Sequence, residues 1–332
     1  MRSHLGKVLT CVALAAGCSS VEPLPAGNRC GVPCTTCVDE RVGFPSEVPR
    51  VVRLRADETY FYLQTASEDS AGHTYGAYKV PRGGGESLRL HSLFANHTDS
   101  IEAPPAGFDL AFSSIYIYGS GAFRVPVDGS AAVQLPSLAA PRAIFLDDAI
   151  VGLLGSAYVN KPEIARLSPD GQRLEALYRP AGSVLSMALG GDRLFWEELA
   201  EDQPTIGLYR GALDGRPAEL IASGLSTFGG YRENSIAADD KFVYYFRDLG
   251  ELYRANHDGG DPVRLTTGLS TVRALGDGCS LVTVASGAAP GTYLASDEGG
   301  PLVRVSNRIG SPWADAQHVY VASRDGVFRT PR

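Results

Sequence analysis

Apolar and polar positions along the chain alternate in a phrase that returns six to seven times at intervals of roughly 35–45 residues, the spacing of architectures built from tandem supersecondary units. The clearest copy is LYRANHDGGDPVRL, Leu252 to Leu265. AYKVPRGGGESLRL starts at Ala77, AFRVPVDGSAAVQL at Ala122, IARLSPDGQRLEAL at Ile164, LYRGALDGRPAELI at Leu208 and TYLASDEGGPLVRV at Thr292, while VFRTPR at Val327 breaks off. An apolar residue beside a basic one (Tyr78–Lys79, Phe123–Arg124, Ala165–Arg166, Tyr209–Arg210, Tyr253–Arg254, Phe328–Arg329) gives a strand of period two, with the basic member read as solvated. Five residues after the apolar position stands Gly83, Asp128, Asp170, Asp214, Asp258 or Glu298, each followed by Gly. Asp-Gly tolerates positive φ in a tight turn, so a second strand returns antiparallel to the first.

Upstream of each phrase lies a second unit, in which a turn residue is followed four positions later by an apolar anchor: Asp57 and Phe61, Ser113 and Ile117, Asp147 and Val151, Gly191 and Phe195, Asp239 and Val243, Asp277 and Leu281, Asp315 and Val319. Apolar flanks around a polar turn again predict a hairpin. Two hairpins per repeat make a four-stranded antiparallel blade, so the sequence predicts an all-β, seven-bladed β-propeller over residues 41–332. The last repeat offers three strands, and the segment around Val42 to Val52 is the available source of a fourth, an N-terminal strand closing the ring and removing sheet edges at the seam. An open stack of sheets, or a six-bladed ring with a degenerate extra unit, is the alternative.

Composition sharpens this picture. Helical periodicity is almost absent, and 38 Gly, 21 Pro and only 2 Met fit many short strands and turns better than helix bundles. A formal net charge of −7 excludes a generic phosphate-backbone binder, because such affinity comes from clustered Lys and Arg.

The amino terminus points to export. Arg2 and Lys7 precede an apolar run, Val8 to Ala16, too short to span a bilayer but suited to a signal-peptide core. It ends in LAAGC, Leu14 to Cys18, which resembles the bacterial lipobox, although Ala15 stands where that motif prefers Leu. The resemblance implies a signal peptide over 1–17, lipidation of Cys18 and anchorage at a membrane surface. Ser19 after the cysteine resembles the sorting pattern of outer-membrane lipoproteins, which places the protein in the bacterial cell envelope. Residues 18–40, rich in Pro, Ser and Gly near their start, read as a flexible tether.

With Cys11 and Cys18 set aside, Cys30, Cys34, Cys37 and Cys279 remain, and four cysteines allow three pairings. The expectation is one disulfide between Cys279 and the 30–37 cluster, with the other two cysteines paired locally. The spacing of CGVPCTTC resembles the cluster motif of radical-SAM enzymes, but the strand–helix alternation of their barrel is missing and an exported chain favours disulfides. No His stands near these cysteines to complete a zinc site, so neither metal nor cofactor is expected.

No catalytic constellation stands out. His73, His91, His97, His257 and His318 are isolated, and no GxSxG elbow or phosphate-cradling loop is present. The acidic pairs Asp147–Asp148 and Asp239–Asp240 recur at one turn of the repeat, which favours turn capping over glycosidase chemistry. Ligands of propellers sit at the channel mouth, among the loops entering the innermost strand and those between the second and third strands. Three stretches read as long loops there: Gln64 to Tyr75, Glu197 to Thr205 and Gly224 to Asn234. The third carries Phe228, Tyr231, Arg232 and Glu233, residue types typical of binding hot spots, and Trp313 is a further candidate at the mouth.

IAADDKFVYY followed by LYRANHDGGDPVRLT resembles the repeats of TolB-like and YWTD-type propellers, most closely at Phe195–Trp196 and Val243–Tyr245. The acidic ending of the YWTD phrase is replaced here by Trp196–Glu197–Glu198 and Phe246–Arg247–Asp248. The resemblance implies a non-enzymatic, monomeric binding platform for a protein or envelope glycan, in contact with the membrane only through its anchor. A propeller hydrolase or lyase with acidic residues around the channel is the alternative, since fold does not dictate function.

Overall fold

A computed structural model describes residues 39–69, 72–95, 107–111, 113–118, 122–135, 138–146, 148–154, 162–200, 205–225, 235–247, 250–266, 269–274, 279–284, 289–296 and 302–332. Among them every regular element is a strand. After β1 (Glu40–Val42) the first sheet holds β2 (Arg50–Ala56), β3 (Tyr60–Asp69), β4 (Gly72–Pro81) and β5 (Leu88–Ala95). The second holds β6 (Gly107–Ala111), β7 (Ser114–Tyr118), β8 (Ala122–Pro126) and β9 (Val133–Leu135), and the third β10 (Leu138–Phe145), β11 (Ile150–Leu154), β12 (Glu163–Leu167) and β13 (Leu174–Tyr178). Next come β14 (Ser183–Gly190), β15 (Arg193–Leu199), β16 (Ile206–Ala212), β17 (Glu219–Leu225), β18 (Ile236–Ala238), β19 (Phe242–Arg247), β20 (Glu251–Asn256) and β21 (Val263–Thr266), all in one sheet. A further blade is β22 (Leu269–Ala274), β23 (Cys279–Val284), β24 (Gly291–Ser296) and β25 (Val303–Ser306); the last joins β26 (Ser311–Ala314), β27 (His318–Ser323) and β28 (Gly326–Pro331) to β1.

The expectation of seven separate four-stranded blades is therefore corrected. Five four-stranded blades are found, and the fourth and fifth repeats are fused into one eight-stranded sheet. The cause is local. Among the described residues β18 pairs with Val243 to Tyr245, and Leu225 at the end of β17 pairs with Arg247 beyond them.

The ring closes. β2 touches β6, β6 touches β10, β10 touches β14, β14 touches β18 and β18 touches β22; β23 then meets β26, and β26 returns to β2. Closure by an N-terminal strand is found, in the register Glu40↔Arg329 and Val42↔Val327, while Val51 and Val52 belong to β2 rather than to the closing strand. Arg329 grips both carboxylate oxygens of Glu40 at 2.8 and 2.9 Å. Asp39 accepts the Thr330 hydroxyl at 2.8 Å and the Asn307 amide at 3.3 Å, tying the closing strand to the segment that follows β25.

The turns behave as their residues dictate. Gly171 and Gly259 take φ of 74° and 83°, a region costly for residues with a Cβ. In each case the preceding Asp accepts the backbone N–H two residues after itself, at 3.0 Å for Asp170 and 2.9 Å for Asp258. At the other hairpin Asp57, Asp239 and Asp315 do more. One carboxylate oxygen accepts the amides two and three residues on, and the second accepts the hydroxyl of Tyr62, Tyr244 or Tyr320, five residues on. Capping thus accounts for Asp239, and Asp148 pairs with Arg166, while Asp147 lies outside the described residues.

The basic row is not solvated as expected. Lys79, Arg124, Arg166, Arg210, Arg254 and Arg329 are all half-buried. Lys79 Nζ donates to the Val127 carbonyl of the next blade at 3.1 Å, and Arg210 to the His257 carbonyl at 3.1 Å. These long side chains cover apolar surface with their stems and staple neighbouring repeats with their heads.

Candidate functional site

The three stretches read as mouth loops fare differently. Gln64 to Asp69 and Gly72 to Tyr75 are strand, parts of β3 and β4 with pairs running out to Asp69↔Gly72, and residues 70–71 lie outside the described residues. Glu197 to Leu199 ends β15, and residues 201–204 lie outside the described residues. Gly224 and Leu225 finish β17, Ser235 precedes β18, and Phe228, Tyr231, Arg232 and Glu233 lie outside the described residues, as do Cys18, Cys30, Cys34 and Cys37. Trp313 is a half-buried packing residue of β26, 5.4 Å ring to ring from Tyr320, in the core between the last blade and the first. It does not sit on the sheet that bears the candidate loop. Cys279 is buried and disulfide-bonded, with its partner outside the described residues.

What the described residues do assemble is a polar layer where the fourth and fifth repeats meet, at the root of the segment 226–234. Glu197 lies on the face of β15 turned toward the fifth repeat, two residues beyond Phe195, which packs against Ile236, Val243 and Tyr245. Its carboxylate is 4 % exposed and accepts the Ser235 hydroxyl. The end of the candidate loop is thereby bonded to a buried acid.

Opposite Glu197 in register stands Ser186, next to a bulge in β14 between Val184 and Ser186. Bulges re-aim side chains and recur beside functional sites. Ser186 is 1 % exposed, and its hydroxyl meets no partner among the described residues. The Tyr245 hydroxyl, on the same interface and fully buried, has none either, and burial pushes that phenol above its usual range. Arg247, two residues on, lies over the rings of Tyr245 and Tyr253 at 5.6 and 5.4 Å with an unpaired Nε.

The adjacent acid faces the other way. Glu198, 6 % exposed, accepts the Gly182 amide at 2.8 Å and Trp196 Nε1–H at 3.3 Å, on the side where Trp196 packs against Tyr178 of the third blade. The two glutamates therefore serve opposite sides of one sheet.

The row continues around the ring. In the first blade Arg53 donates to Gln64 Oε1 at 3.3 Å beside an equivalent bulge, and in the blade of β22 to β25 Thr271 pairs with Thr283 beside another. Burying such groups costs free energy unless each is satisfied, and among the described residues the hydroxyls of Ser186, Tyr245, Thr271 and Ser280 have no partner. Sequence reasoning reached the loop but not its buried footing. The available signal was the acidic pair Glu197–Glu198 at strand positions where the other repeats carry uncharged residues, among them Leu63, Tyr245 and Val321 at the first and Phe246, Val284 and Ala322 at the second.

No protein-family model matches the chain, and no curated protein matches it in sequence. Solved structures do match. Puromycin hydrolase is similar at a TM-score of 0.58 and 13% identity over 83% of this chain and 50% of its own, so the chain spans half the length of that protein. The WD40 β-propeller domain of Doa1 matches at 0.52 and 13% identity, over 89% of this chain and 96% of that one. TolB from Acinetobacter baumannii matches at 0.43 and 13% identity, over 81% and 79%. A hydrolase and a WD40 domain share this ring, so the chain is a β-propeller built of repeats, and the likeness establishes that architecture alone.

Proposed function

We propose that the protein is an exported, lipid-anchored propeller of the cell envelope that binds a protein or glycan without catalysing a reaction on it. The reading places the binding surface at the mouth between the fourth and fifth repeats. The observation that carries it is the bond from Ser235 to the buried Glu197, which ties the residue following Phe228, Tyr231, Arg232 and Glu233 in the chain to a polar layer where, among the described residues, the Ser186 and Tyr245 hydroxyls have no partner. Aromatic and Arg side chains are the residue types that dominate binding hot spots.

Binding is favoured over turnover because the neighbouring acids do not converge. Glu198 is held on the opposite face by Gly182 and Trp196, so the two do not form an acid–base pair across one substrate. Anchorage through Cys18 rests on the LAAGC phrase. Labelled palmitate incorporated by the wild-type chain and lost in Cys18→Ala supports the anchor; equal incorporation refutes it.

The surface is tested by pull-down from envelope extract with the wild type, a Tyr231→Ala/Arg232→Ala/Glu233→Ala variant and Ser235→Ala. Capture should fall at least ten-fold in the triple variant and several-fold in Ser235→Ala. Capture unchanged in both would sink the assignment.

A further inference from the structure

A second concavity lies away from this mouth, at the seam where the ring closes. It measures about 280 Å³ and is walled by Val42, Phe44 and Pro45 on one side and by Phe61, Pro81 and Arg82 on the other. One wall follows the closing strand; the other is the outer hairpin turn of the first blade. From these walls we infer that the seam pocket is a binding site for a small uncharged aromatic ring carrying one hydrogen-bond acceptor.

Size and lining set the class. A cavity of this volume lies at the lower end of ligand sites, large enough for a substituted benzene ring and too small for a drug-sized molecule. Phe44 and Phe61 meet edge to face at 5.8 Å, presenting aromatic surface of the kind that offset or edge-on rings pack against.

The one charged side chain in the lining decides polarity. Arg82 is fixed by Asp315 at 2.6 Å, by the Tyr320 oxygen at 2.5 Å and by the Asp57 carbonyl at 3.1 Å, and its guanidinium lies 5.2 Å from the Phe61 ring. A guanidinium has five N–H donors, so these three bonds leave Nε–H and one further N–H to offer an acceptor. Its charge is already met by Asp315. An anionic ligand would compete with that carboxylate for the guanidinium, whereas a neutral acceptor would not.

The walls are also built to hold their spacing. Ser87 donates to Glu47 at 3.1 Å, linking the turn of the first blade to the segment after the closing strand. A ligand between them touches both sides of the seam, so its binding should stabilise the closed ring.

The test uses p-cresol as the neutral probe and benzoate as the charged one, titrated into the full exported chain and followed by calorimetry and melting temperature. Gly43→Phe adds a ring to the pocket lining at a position where a Cβ meets nothing within 4 Å. Phe44→Ala removes a wall. Saturable p-cresol binding, at least ten-fold weaker benzoate binding, and at least ten-fold loss in both variants, with circular dichroism and unliganded melting of Gly43→Phe unchanged, are expected. Absence of p-cresol binding, or equal binding to Gly43→Phe, overturns the site; benzoate binding as tightly as p-cresol overturns the neutral class.

Discussion

Replacing Asp315 by Asn separates two tasks that this carboxylate performs at the seam. Its Oδ1 caps a turn, accepting Gln317 N–H at 2.8 Å and His318 N–H at 2.7 Å, and Asn keeps that acceptor. Its Oδ2 receives Arg82 at 2.6 Å and Tyr320 at 3.3 Å, and Asn presents N–H donors there instead. The side chains of the ion pair are 20% and 24% exposed, so solvent screens only part of the loss. A hydrogen bond to a charged group is worth about 1.5–3 kcal/mol when its partner is left unmatched.

Asp239 provides the internal control. It caps the same turn with the same two amides, but its Oδ2 meets only the Tyr244 hydroxyl at 2.8 Å, which can rotate and accept from an Asn amide. Asp239→Asn should cost at most about 1 kcal/mol, and Asp315→Asn about 1–2 kcal/mol more. Urea denaturation reads this directly, because the chain has 2 Trp and one of them, Trp313, packs on Tyr320. Trp196→Phe isolates the seam signal. Equal costs for the two Asn variants would refute the reasoning, as would additivity between Asp315→Asn and Arg82→Met, since paired residues must couple.

Two further outcomes follow from the same turns and interfaces. Backbone and side-chain donors hold Asp57 and Asp315 below the ordinary carboxylate range in spite of burial, so their stabilisation is complete above the unfolded value near ~4 and is lost as pH falls through the lower folded one; acid titration followed by circular dichroism should show Asp315→Asn with the shallower acid limb, and an unchanged limb would count against it. Tyr244→Phe should lower stability by about 1 kcal/mol through its lost bond to Asp239, while Tyr245→Phe should be neutral or stabilising because its buried hydroxyl has no partner among the described residues; melting curves in which Tyr245→Phe is the more damaging change would reverse the assignment.

Much of the fold was legible because the repeat writes its turns in residues with few other uses. Asp-Gly at 170–171 and 258–259 marks a positive φ and its own carboxylate cap, and Asp57, Asp239 and Asp315 mark the partner hairpin. N-terminal closure was legible as a strand count. The fusion of the fourth and fifth repeats was not, because it turns on the single pair Leu225↔Arg247 at two strand ends. Gln64 to Tyr75 misled for a related reason: Ser, Glu, Asp and Gly suggest a loop, yet ten residues of β3 pair with ten of β4.

The candidate site was half legible, and the missing half has one physical origin. A repeat pattern is read by what its copies share, while a site is made where a copy departs from the others. At the far end of the second strand the sequences diverge into Leu63–Gln64–Thr65, Glu197–Glu198–Leu199, Tyr245–Phe246–Arg247 and Val321–Ala322–Ser323. That end carries no packing rule common to every blade, so charge is admitted there wherever a partner is at hand, as Ser235 is for Glu197 and the Gly182 amide is for Glu198. In a ring of near-identical sheets, the position to test first is therefore the buried polar residue that its counterparts lack. Here that residue is Glu197.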